Sequence, residues 1–97
     1  MSTIDSSFIR PAVPTKCSKF EKALANKKVN LSACGSKDNN NFVGLLKCMC
    51  KEEKVCGDVL QQYAACHGTV MGAGSYNGRR NCELELKALY DCVQGTA

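Results

Sequence analysis

Apolar positions recur along this chain at helical spacing in four places. Cys17, Phe20 and Leu24 fall at offsets 0, 3 and 7, and Phe42, Leu45, Leu46 and Met49 at 0, 3, 4 and 7, each set marking one face of a 3.6-residue helix. Further on, one template is written twice: Cys56, Leu60, Tyr63 and Cys66 fall at 0, 4, 7 and 10, as do Cys82, Leu86, Leu89 and Cys92. The pattern predicts a first helix over 16–28 with Thr15 as its cap, a second from Phe42 towards Lys54, and two more over 56–66 and 82–92. Between the last two, Gly68, Gly72, Gly74 and Gly78 in the stretch 67–81 read as turn residues that send the final helix back antiparallel. The stretch 29–41 reads as a polar loop, with Asn39, Asn40 and Asn41 supplying turn chemistry. Residues 1–15, with Pro11 and Pro14, show neither period and read as an extended tail. Three regions result: the tail over 1–15, a helical segment with four cysteines over 16–54, and a helical hairpin over 55–95.

Ten residues of helix rise about 15 Å and turn about 1000°, some 80° short of three full turns. Both sulfurs of a pair that encloses nine residues therefore share one slanted face. In an antiparallel hairpin Cys56 meets Cys92, and Cys66 meets Cys82. These residues resemble the twin Cys-x9-Cys signature of the coiled-coil-helix-coiled-coil-helix (CHCH) proteins, over a little more than a third of the chain. The resemblance implies an all-α fold, a disulfide-stapled hairpin preceded by one or two short helices. It also implies import without a cleaved presequence, oxidation by the disulfide-relay oxidoreductase of the mitochondrial intermembrane space, and work as a non-catalytic accessory subunit or assembly factor of an inner-membrane respiratory-chain complex. Other members of that group sit in the small subunit of the mitochondrial ribosome, in the matrix, or carry copper as metallochaperones.

Composition narrows the picture. Eight cysteines among 97 residues reach the density at which a short chain reads as a disulfide scaffold or a metal site. Reduced cytosol does not sustain such bridges. The first fifteen residues lack the apolar run of a secretory signal, and the longest uncharged, apolar-leaning stretch, 59–77, is broken by Gln61, Gln62, His67 and glycines. All eight cysteines are expected in intramolecular disulfides. Cys48 and Cys50 stand two apart and diverge by about 200° on a helix, so each needs its own partner. An antiparallel packing of the first two helices pairs Cys17 with Cys50 and Cys34 with Cys48, one of three pairings these four allow.

Metal and catalytic chemistry find little footing. Structural zinc favours Cys-x2–4-Cys knuckles, whereas this chain offers only the Cys-x-Cys of Cys48 and Cys50. Copper(I) also favours paired soft thiolates, but the resembling chaperones use adjacent cysteines where Met49 intervenes here. No metal, cofactor or small-molecule substrate is expected. His67, the one histidine, follows Cys66 at a predicted helix end and reads as a cap. Asp58, Glu83, Glu85 and Asp91 read as exposed carboxylates without convergent partners.

Binding to protein subunits of a large mitochondrial assembly is the remaining expectation. Phe8, Ile9 and Val13 suit an extended segment lying in a partner's groove. Lys19 and Lys22 lead the basic face of the first helix, which suits an acidic lipid headgroup or rRNA phosphate. The net charge of +4 is modest for a protein embedded in rRNA.

Overall fold

The computed structural model describes residues 3–5, 13–25, 27–32, 36–75 and 78–95. It is a helical protein with a two-stranded ribbon at one side: β1 (Thr3–Asp5), a 3-10 turn (Thr15–Cys17), α1 (Ser18–Ala23), β2 (Lys28–Asn30), α2 (Lys37–Glu53), α3 (Gly57–Ala73) and α4 (Glu83–Gln94). The expected all-α, disulfide-stapled fold is present, with several boundaries moved.

One piece of the expected tail is paired within the chain. Thr3–Asp5 pairs antiparallel with Lys28–Asn30, placing Ile4 opposite Val29. Val29 is fully buried, so the strand that holds the tail is itself anchored in the core. Part of the expected loop over 29–41 is therefore strand, and part is helix. α2 begins at Lys37 because Ser36 caps it, its hydroxyl accepting from the Asn39 N–H at 3.2 Å. Asn39 is buried and turns its side-chain amide onto the Asn30 and Leu31 carbonyls at 3.1 and 3.5 Å, tying β2 to α2. A buried amide satisfied in this way fixes the approach of the two elements.

α1 is shorter than its period predicts and ends at Ala23. It packs on α2 through Phe20, whose ring lies against Gly44; a Cβ built on Gly44 would sit 2.5 Å from that ring. Glycine at position 44 is what lets the two helices approach this closely. The core is filled from α2 by Phe42, Leu45, Leu46 and Met49, from the segment before it by Leu24, Val29 and Leu31, from α3 by Tyr63 and Val70, and from α4 by Leu86, Leu89 and Val93. Phe42 and Tyr90, ring centroids 5.7 Å apart, join α2 to α4.

α2 and α3 meet at a tight joint. Lys54 and Cys56 both adopt left-handed backbone conformations, with φ of 55° and 61°, and the Lys54 and Val55 N–H groups both donate to the Cys50 carbonyl. The two left-handed residues reverse the chain without glycine, at a cost of roughly 1–2 kcal/mol each. α3 then runs on through Gly68 and Gly72, which lie inside the helix rather than in the turn. Its true end is Gly74, left-handed at φ 88°, whose N–H donates to the Val70 carbonyl. Helix α4 opens with the Asn81 side chain accepting from the Glu83 N–H at 3.1 Å, and with Glu83 and Glu85 in its first turn.

Candidate functional site: staples, a buried thiol and uncovered faces

The hairpin is stapled as its spacing predicts. Cys56 bonds Cys92 and Cys66 bonds Cys82, with Cα atoms 6.1 and 5.9 Å apart, ordinary separations for a disulfide.

In the first half the pairing differs from the expected one. Cys17 bonds Cys48, so neither the Cys17–Cys50 nor the Cys34–Cys48 pairing stands, and Cys50 is a free, buried thiol rather than half of a bridge. Cys34 lies outside the described residues. The reason is the contact between Phe20 and Gly44. Cys17 precedes Phe20 by three residues and Cys48 follows Gly44 by four, so an antiparallel crossing at that contact stacks Cys17 over Cys48 one turn away. Cys50 does flank the Phe42 stripe, but that stripe is buried in the core and meets α4 through Phe42 and Tyr90, while Cys50 lines the groove beside Gly57 and Leu60 of α3. Burial pushes the Cys50 thiol up from its ordinary pKa, which keeps it protonated and a poor nucleophile.

The predicted contact residues fare unevenly. Phe8 and Ile9 lie outside the described residues. Val13 is partly buried against the chain's own core. Lys19 and Lys22 are exposed as expected, with the Lys19 ammonium 5.0 Å above the Phe20 ring. His67 is not at a helix end. It sits within α3 and stacks on Tyr63, centroids 5.7 Å apart. Glu85 is not unpartnered either: the Arg79 guanidinium grips both its oxygens at 2.8 and 2.5 Å. Those hydrogen bonds hold the Glu85 carboxyl below its usual pKa.

Cys66, Cys82 and Glu85 bring their donor atoms within 4.8 Å of one another. With the two sulfurs joined and the carboxylate gripped by Arg79, that trio presents no thiolate for a metal. Nor can Cys48 and Cys50 act as a thiolate pair while Cys48 is bonded to Cys17.

Two surfaces escaped the sequence reading. On α3, Ala64, Gly68 and Gly72 recur every fourth residue and are all exposed. Space beside both glycines is open, with no atom of the described residues beyond the neighbouring helix backbone within 4 Å of a built Cβ, and Met71 nearby is 56% exposed. The four-residue spacing was visible in the sequence, but the glycines signalled a turn more strongly than a face. The second surface is a groove of about 420 Å³ at the α2–α3 joint, lined by Lys47, Cys50, Lys51, Lys54, Val55, Gly57 and Leu60.

The arrangement defines a class of molecule: a small helical scaffold cross-linked by disulfides. No known protein family, curated protein or solved structure matches the chain. Its resemblance to the twin Cys-x9-Cys group rests on the cysteine spacing.

Proposed function

We propose that this chain is a non-catalytic accessory subunit or assembly factor of a mitochondrial inner-membrane respiratory-chain complex, facing the intermembrane space and oxidised there by the disulfide relay. The observation that carries the reading is the uncovered face of α3. Glycine within a helix costs about 1 kcal/mol relative to alanine, and at Gly68 and Gly72 nothing in the described chain approaches closely enough to need one. Small residues at four-residue spacing allow another helix backbone to come near, and the Cys56–Cys92 and Cys66–Cys82 bridges hold α3 rigid for such a contact. A rigid face gives up little conformational freedom on binding.

Substituting Gly68→Gln and Gly72→Gln together separates docking from folding. The side chains enter open space, so the oxidised chain folds at least as stably as before, while its comigration with a high-molecular-weight mitochondrial assembly on native gels is lost. Unchanged comigration of the folded variant would remove α3 as the docking face. Recovery of the wild-type chain with ribosomal small subunits would assign it to the ribosome instead.

A further inference from the structure

We propose that the groove at the α2–α3 joint is a binding site for an anionic phospholipid, with Lys47, Lys51 and Lys54 holding the phosphate and the floor between Val55 and Leu60 taking the start of an acyl chain. The three lysines are exposed and border one rim. Lys47 and Lys51 are one helical turn apart on α2, and the left-handed Lys54 ends the same edge. The ion pairs among the described residues join Lys16 to Glu52, Lys27 to Asp38, Arg79 to Glu85 and Lys87 to Asp91, and so use none of the three. Glu52 and Glu53 lie between Lys51 and Lys54 in sequence, but Glu52 is paired with Lys16 and neither carboxylate lines the groove, so the three like charges along it repel one another and an anion relieves that repulsion.

Beneath this rim the groove is apolar. Cys50 is buried at its floor, and Val55 and Leu60 are half-buried beside it. Gly57 opens the α3 side, with no atom within 4 Å of a Cβ built there. Cation above hydrocarbon is the complement of an anionic amphiphile. Size favours a lipid over a protein segment: about 420 Å³ falls in the range of roughly 300–1,000 Å³ typical of small-ligand clefts. The seven lining residues are far fewer than the roughly 20–30 per side of a stable protein interface. This site lies at the α2–α3 joint, apart from the basic face of α1 that carries Lys19 and Lys22.

The test is cosedimentation of the oxidised full chain with phosphatidylcholine vesicles made with and without phosphatidylglycerol. Binding is expected only with the anionic lipid. Each cation near an anionic surface is worth about a fivefold factor, so Lys47→Glu with Lys51→Glu lowers partitioning at least about twentyfold. Lys19→Glu with Lys22→Glu, an equal change of charge, leaves most of it. Leu60→Gln keeps the charge and weakens binding severalfold, and circular dichroism verifies that each variant is folded. Equal loss in the two charge-reversed pairs means diffuse attraction and overturns the site, as does unaltered binding by Leu60→Gln. Vesicle binding that ignores phosphatidylglycerol overturns it too. If a Glu- and Leu-rich peptide shifts the groove's amide resonances and soluble dihexanoyl phosphatidylglycerol does not, the occupant is a protein segment and the lipid proposal fails. Comigration with an assembly and partitioning onto lipid are separate readouts, so the failure of either leaves the other standing.

Discussion

Helices α2 and α3 are each 17 residues long, yet they are held in place by different means. α2 buries seven side chains, from Asn39 to Cys50, whereas α3 buries three, Tyr63, Cys66 and Val70. Fully burying a large apolar side chain contributes about 1.5–3 kcal/mol, so α2 is secured mainly by packing. α3 has too little buried surface for that and is secured by covalent bonds at both its start and its middle. The division explains how α3 keeps an outer face of small residues that the described residues leave exposed. A helix stapled by sulfur is free to spend its surface on a neighbour.

The largest expected effect sets the two helices against each other directly. The hairpin bridges restrict the unfolded chain by about 3–4 kcal/mol each in the chain-entropy account, so reduction in excess dithiothreitol accelerates amide hydrogen exchange across α3 by about a hundredfold or more. The α2 amides, protected by Phe42, Leu45, Leu46 and Met49, accelerate far less. Equal acceleration in both helices would mean that packing and staples form a single cooperative unit, and the contrast would fail. A smaller effect is expected at the other end of the molecule. Gly44→Ala forces a methyl group into the Phe20 ring and costs about 1–3 kcal/mol by overpacking, measurable as a lower denaturation midpoint; combining it with Phe20→Ala removes the added cost of the methyl. The smallest is electrostatic. Because Arg79 depresses the Glu85 pKa, the stabilisation by this pair is fully present above the ordinary glutamate value, near 4.3, and is lost as pH falls through the lower folded value. Glu85→Gln flattens that acid limb of the stability curve, and a limb of unchanged slope would show that the fork contributes nothing.

Much of this architecture was legible from residue spacing, and the failures share a cause. The hairpin could be read because the repeat at Cys56, Cys66, Cys82 and Cys92 encodes both the helix faces and their antiparallel register. The core stripe of α2 was equally plain. β1 and β2 were not, since three residues are too few to show an alternation and their pairing joins segments far apart in sequence. The Cys17–Cys48 bridge depends on where α1 crosses α2, and that is decided by a single glycine whose role appears only when Phe20 lies on it. Gly68 and Gly72 misled in the opposite direction: local preference suggested a turn, and the staple at Cys66–Cys82 with the buried Val70 carried the helix past them. For the functional surfaces, the rim of Lys47, Lys51 and Lys54 could not be told from an ordinary solvated helix edge until the joint at Lys54 and Cys56 placed Leu60 beneath it.

The described bridges also give the chain a particular connectivity. One closed loop runs from Cys17 to Cys48, and two nested loops run from Cys56 to Cys92 with Cys66–Cys82 inside; no described bridge joins the first loop to the others. The residues from Met49 to Val55 are thus a covalent isthmus. A protease that cuts the α3–α4 connection after Gly74 leaves its two ends tethered through sulfur, while one cut within the isthmus leaves two pieces that no described bridge joins, even under oxidising conditions. Tension applied between Cys17 and Cys92 bypasses both looped stretches and falls on the isthmus, where the left-handed Lys54 and the floor of the groove are found. The joint that shapes the ligand site is the mechanical fuse of the molecule.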